Sequence, residues 1–188
     1  MFTNIFKRLI AIILNPADTW RELKGQEKEQ DMILSQFVYP LIGMIALAAF
    51  LGIFFTRKVF DIEIALKITL RTVIAVAGGF FISAYFLNEI RKSVFNQPKV
   101  IELCRCFVGY ASSLMFVLYI ITSLLPEFFF LKIFVLYTVY IIWESAVIFM
   151  QVSEEKRLKF TLIASFIVIL TPIIIDQALR IFMPGFRI

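Results

Sequence analysis

The chain has no histidine, only two cysteines, and charge on just 18% of its 188 residues. Without histidine it lacks the side chain that most often serves as a general base near neutral pH and as a metal ligand. Cys104 and Cys106 are too close in sequence for an ordinary structural disulfide and too few for a thiolate metal site. They are read as packing residues, with a redox, metal-linked or acylated pair as the alternative. A phosphate-binding glycine loop and a serine nucleophile elbow are also missing. No cofactor, metal or nucleic-acid partner is expected, and the chain is not expected to be an enzyme. The scarcity of charge excludes a soluble globule as well, because too little polar surface exists to coat one of this size.

What is present is apolar: 61% hydrophobic residues, 22 phenylalanines and a mean hydropathy of +0.89. A helix needs roughly 20 apolar residues to cross about 30 Å of hydrocarbon. Five stretches meet that demand, at 33–55, 66–87, 107–125, 128–150 and 160–182. Runs such as Leu114 to Leu125 do not alternate as barrel strands do, so the predicted fold is all-α. It is a polytopic bundle of five membrane helices over 32–188, preceded by an N-terminal segment over 1–31.

Lysine and arginine set the predicted orientation, since short loops rich in them remain on the cytoplasmic side. One side collects Lys7, Arg8, Arg21, Lys24, Lys28, Arg91, Lys92, Lys99, Arg105, Lys156, Arg157 and Lys159, twelve of the nineteen basic residues. The N-terminus is therefore expected inside and the C-terminus outside. Phe2, Ile5, Phe6, Leu9, Ile12 and Ile13 share one helical face, which suits an amphipathic helix in the headgroup plane with Lys7 and Arg8 toward anionic lipid. Asn15 and Pro16 then begin a second helix with Asp18 in its first turn, Gly25 at its end and Trp20 at the interface. The alternative is a cytoplasmic flap packed under the bundle. Arg91 and Lys92 in the second loop are further candidate contacts for anionic lipid.

Small residues recur at four-residue spacing, where helices in lipid approach closely. Ala75, Gly79 and Ser83 form one stripe, Ala48 and Gly52 a shorter one, and Gly109 and Ser113 another. They fit intramolecular packing or a homo-oligomer interface. Pro126 and Glu127 join spans three and four as antiparallel neighbours, and Pro172 is expected to kink span five. An ion in mid-membrane is costly and so faces protein or water. Tyr137, Tyr140 and Glu144 share a face of span four; Asp176 has Arg180 one turn away and Arg71 at a similar depth. Glu144 has no evident cation at its own depth. These six residues form a candidate polar site, either structural or lining a solvated path.

The order of features resembles the Yip1-domain family, specifically its short bacterial members of the Bacteroidetes type. The likeness is carried by Asn15-Pro16-Ala17-Asp18-Thr19-Trp20, Tyr39-Pro40-Leu41-Ile42-Gly43, Phe107-Val108-Gly109-Tyr110, Leu125-Pro126, the stretch Leu136-Tyr137-Thr138-Val139-Tyr140-Ile141-Ile142-Trp143, and Thr171-Pro172. The resemblance implies five spans, a cytosolic N-terminus, and residence in a bacterial inner membrane. It supplies no numbered functional site, and this chain lacks the longer cytosolic region that eukaryotic members use in Golgi trafficking. The expected function is a non-enzymatic membrane-organising scaffold that binds lipid or membrane-protein partners. The alternative is a small oligomeric transporter or channel.

Overall fold

The computed structural model describes residues 2–24, 32–56, 60–183 and 185. Gly25, Lys28, Asp31, Arg57, Lys58 and Arg187, and the side chain of Phe2, lie outside the described residues. Eight α-helices are found among those described, with no strand: α1 (Phe2–Leu14), α2 (Pro16–Lys24), α3 (Tyr39–Thr56), α4 (Ile62–Ser93), α5 (Ile101–Ala111), α6 (Ser113–Leu124), α7 (Tyr137–Ile148) and α8 (Arg157–Phe182). Four helical stretches are long and apolar enough to cross a bilayer: Leu34–Phe55, Ile62–Ser93, Pro126–Ile148 and Glu154–Phe182. The bent pair α5–α6 makes a fifth if taken as one span.

The best-formed boundary is the start of α4. The Asp61 carboxylate accepts hydrogen bonds from the backbone N–H groups of Glu63 and Ile64 at 2.9 and 3.1 Å, satisfying donors that a helix leaves open. Arg91 and Lys92 in the last turn complement the opposite pole of the dipole. With 32 residues, α4 is about 48 Å long, so it exceeds the 66–87 span and projects beyond the hydrocarbon. Leu66, Leu70 and Ile74 are exposed on its outer face, whereas Ala75, Gly79 and Ser83 are buried against the bundle.

That small-residue stripe is an intramolecular contact. A Cβ on Gly79 would lie 2.8–2.9 Å from Pro172, so α4 and α8 touch almost backbone to backbone. Gly52 serves α3 in the same way, since its Cβ would lie 1.9 Å from the Ser123 carbonyl oxygen of α6. Gly109 makes room for Val38 and Ile33 at 3.1–3.2 Å, where the chain enters α3 through a π-helical turn, Leu34–Val38. Helix α8 runs without interruption through Pro172, and the Thr171 hydroxyl donates to the Ile167 carbonyl at 2.6 Å.

Two predicted spans differ from straight α-helices. The third bends by 47° between α5 and α6, at Ser112, whose ψ of 2° lies off the helical value. Ser112–Ser113 is the kind of small polar pair at which helices kink. In the fourth, Pro126–Leu136 is 3₁₀-helical with a kink at Phe128, whose ψ is 24°, and only Tyr137–Ile148 is α-helical. None of the 11 residues in that 3₁₀ segment is buried, and Phe128, Phe129, Phe130, Ile133, Phe134 and Leu136 are exposed. The segment packs against α6 on one side and leaves its other side uncovered, standing as a thin outer wall of the bundle.

The N-terminal helices are part of the bundle. Ile5, Leu9 and Ile12 of α1 join the core, while Phe6, Ile10 and Leu14 remain exposed. Trp20 is fully buried rather than at the interface: its ring stacks on Phe107 and tilts onto Phe149, with centroids 5.9 and 4.9 Å away, and its indole N–H donates to the Ile141 carbonyl at 3.1 Å. Phe160 and Phe95 extend this aromatic core. At the same end, left-handed turns at Asn96 and Gln151 are tied together by the Gln97 amide, which donates to the Gln151 carbonyl at 2.8 Å.

Candidate intramembrane cavity

Toward the opposite end the bundle opens into a cavity of about 760 Å³ between α3, α4, α6, the 3₁₀ wall and α8. Its polar anchor is built from two helices. Arg71 reaches from α4 to place its Nε 3.1 Å from Asp176 of α8, while Arg180, one turn on, places its own Nε 2.9 Å from the other carboxylate oxygen. One carboxylate is thus held between two guanidinium groups. Exposure rises along this row, from 10% for the Arg71 side chain through 24% for Asp176 to 43% for Arg180, so the anchor runs from the interior toward the mouth. Lys132 of the 3₁₀ wall and Gln177 of α8 also line the cavity and are exposed, and the half-buried hydroxyl residues Thr72, Tyr119, Thr122 and Ser123 line it as well. Ile53, Ile68, Val135, Leu136 and Ile173 form apolar walls.

The cavity narrows at its floor. Met115 and Tyr119 line the cavity and also a second void of only about 10 Å³, lined as well by Val76, Phe80, Ser83, Ser112, Phe116 and Val168. A space of that size holds at most about one water. The buried core continues toward the 94–100 and 149–156 loops around Phe107, Phe149 and Phe160, mostly apolar, with Ser113, Thr161 and Ser165 buried in it.

The structure divides the six predicted polar residues into two groups. Arg71, Asp176 and Arg180 come together in the cavity. Tyr137, Tyr140 and Glu144 do not. The Tyr137 hydroxyl donates to the Ile13 carbonyl of α1 at 2.9 Å and its ring lies 5.4 Å from that of Tyr140. Glu144 has a cation after all, because Arg157 approaches its carboxylate at 3.6 Å. The same guanidinium lies 4.3 Å above the Trp143 ring and donates to the Trp143 carbonyl at 3.2 Å. The sequence pattern puts Arg157 between spans four and five; as the first residue of α8 its side chain reaches back along α7.

Among the predicted lipid contacts, Lys7 and Lys92 are exposed, but Arg8 donates to the Tyr110 hydroxyl at 2.7 Å and Arg91 is buried. The latter two side chains are therefore turned to the protein rather than to a surface. Cys104 and Cys106 are both buried as free thiols. Lys132, Tyr119 and Gln177 were not singled out as site residues. Lys132 carried a usable signal, being a lone cation near the span end that also holds Arg71 and Asp176.

A bundle of four or five apolar spans with this order of elements has a counterpart among family models. The model of the Yip1 domain matches residues 10–175. The chain belongs to the Yip1-domain family. Within this Yip1 domain the matched region takes in the end of α1 and all of α2 with its buried Trp20, so α2 belongs to the family unit as well as to the packed core. Arg71 and Lys132 lie inside the match, and Asp176 and Arg180 just past its end. Searches among curated proteins and among solved structures find no match.

Proposed function

We propose that this multi-pass Yip1-domain protein is a non-enzymatic, lipid-binding organiser of the membrane rather than a conduit through it. The observation that carries this reading is the cavity: large, polar at one wall, apolar at the others, and narrowing beneath at Met115 and Tyr119 to a void of about 10 Å³ above a mostly apolar core. A volume of about 760 Å³ is within the range of small-molecule sites, which are mostly apolar with a few placed polar groups. A conduit needs a second opening, and packed aromatic side chains occupy the place where it would run. The sequence supports the non-enzymatic part, offering neither histidine nor a nucleophile motif. For orientation we retain the N-terminus on the cytoplasmic side. The 94–100 and 149–156 loops are joined by the Gln97–Gln151 contact and carry basic residues, as cytoplasmic loops do.

The test is native mass spectrometry of the full chain purified in mild detergent, beside anion and cation flux in proteoliposomes. Retained phospholipid with no flux above empty vesicles is expected. Flux that saturates with substrate, together with no retained lipid, would overturn the reading in favour of transport.

A further inference from the structure

Helix α1 is apolar on two sides. Ile5, Leu9 and Ile12 are buried in the core, while Phe6, Ile10 and Leu14, spaced four apart on one ridge of the helix, are each more than half exposed. Two hydrogen bonds fix how this helix lies. Arg8 donates to the Tyr110 hydroxyl at 2.7 Å, and the Ile13 carbonyl accepts from the Tyr137 hydroxyl at 2.9 Å. Tyr110 and Tyr137 stand on spans three and four, which meet at Leu125–Pro126, so the depth of each can be measured from that turn. Tyr110 lies about 20 Å from it at 1.5 Å per helical residue, after the 47° bend. Tyr137 follows the 11 residues of the 3₁₀ segment, about 22 Å at 2.0 Å per residue. The two anchor points are at nearly the same depth, so α1 lies across these spans rather than along them. Glu127 is exposed and places the turn at one headgroup level. In about 30 Å of hydrocarbon, α1 is then about 10 Å inside the opposite boundary, where in-plane amphipathic helices settle.

We propose that α1 is a one-leaflet anchor, lying in the plane of the leaflet opposite the Pro126–Glu127 turn with Phe6, Ile10 and Leu14 among its acyl chains. On the orientation retained above this is the cytoplasmic leaflet. Two observations favour lipid over a protein partner as the occupant of this ridge. The ridge is continuous with the lipid-facing surface of the bundle: Tyr137, which holds Ile13, packs on the exposed Tyr140, and the exposed Phe134 and Leu136 of the 3₁₀ wall precede it. The adjoining helix α2 shows where water begins, since its exposed side carries the Asp18–Arg21 ion pair at 2.8 Å. Apolar side chains face out from α1 and charged ones from α2, as expected of a helical pair set at the boundary of the hydrocarbon. Lys7 is exposed beside Phe6, and its stem is long enough to carry the ammonium to the headgroups while its methylenes stay among the chains.

The test is spin labelling of the full chain in phosphatidylcholine vesicles, with Cys104 and Cys106 replaced by alanine. A nitroxide is attached in turn to Phe6→Cys, Ile10→Cys and Leu14→Cys. Ile74→Cys, on the outer face of α4, is the lipid reference, and Glu155→Cys, in the 149–156 loop, the water reference. All three α1 positions are exposed and Ile5, Leu9 and Ile12 are left in place, so the substitutions spare the contacts that hold the helix. Collision with oxygen, which concentrates in hydrocarbon, is compared with collision with a water-soluble nickel chelate. Oxygen should exceed the chelate severalfold at all three positions, as at Ile74→Cys and in contrast to Glu155→Cys. The depths of positions 6 and 14 should agree, whereas a helix running along the spans would separate them by about 12 Å. Chelate contact as strong as at Glu155→Cys would put the ridge in water and overturn the proposal. Shielding from both reagents would mean that a second copy of the chain covers it, and unequal depths that α1 does not lie in the plane; either overturns it. None of these readings depends on whether the cavity retains a phospholipid, so this proposal and the lipid-binding one fail separately.

Discussion

The side chains that decide this bundle are the smallest ones. Gly52 and Gly43 lie on the same helix in opposite circumstances: a Cβ at 52 would strike the Ser123 carbonyl, while at 43 it would meet nothing within 4 Å. Gly52→Ala must push α3 from α6 and is expected to cost about 1–3 kcal/mol, as overpacking does. Gly43→Ala should instead gain up to about 1 kcal/mol from helix propensity. Thermal unfolding in detergent reads both; a Gly52→Ala protein as stable as the parent would mean that α3 and α6 are not in backbone contact. Trp20 is the large counterpart. Trp20→Phe, which keeps a ring but removes the donor to Ile141, should cost about 1 kcal/mol. Trp20→Ala should cost about 3–5 kcal/mol. If the alanine variant melts with the parent, Trp20 belongs at the interface, as the sequence alone suggests.

At the scale of elements, the five spans were legible because bilayer thickness imposes a length that no soluble helix has to meet. Their departures from ideality were not. The break at Ser112 depends on one ψ angle, and the 3₁₀ form of Pro126–Leu136 is a matter of backbone geometry in a run as apolar as its α-helical neighbours, neither of which hydropathy records. The Arg71–Asp176–Arg180 group is legible in the sequence because all three charges fall inside spans at similar depth. The Glu144 partner is not, because Arg157 falls between spans in the sequence, yet its side chain covers Trp143 and reaches back along α7. That contact links α7 to α8 on the far side of the aromatic core from the cavity. Glu144→Gln should therefore leave lipid retention as in the parent while lowering the melting temperature slightly. A loss of retained lipid in this variant would extend the site to α7.

The whole molecule is a bundle with two unlike halves. One is filled by the rings of Trp20 from α2, Phe107 from α5, Phe149 just after α7 and Phe160 from α8. The other is left open around Arg71, Asp176, Arg180 and Lys132 among the described residues. The N-terminal pair α1–α2 completes the filled half, which ties the segment before the first span to the stability of the membrane domain. The central claim is that the cavity ends at Met115 and Tyr119. It is tested most directly by single cysteines at Gln177 in the cavity and Val168 beneath its floor, introduced after Cys104 and Cys106 are replaced by alanine. The protein is reconstituted in phosphatidylcholine and exposed to a small membrane-impermeant thiol reagent. The account predicts labelling of Gln177→Cys from one face of the membrane and protection of Val168→Cys from both. Labelling of Val168→Cys, or of Gln177→Cys from both faces, would reveal a continuous aqueous path and contradict it.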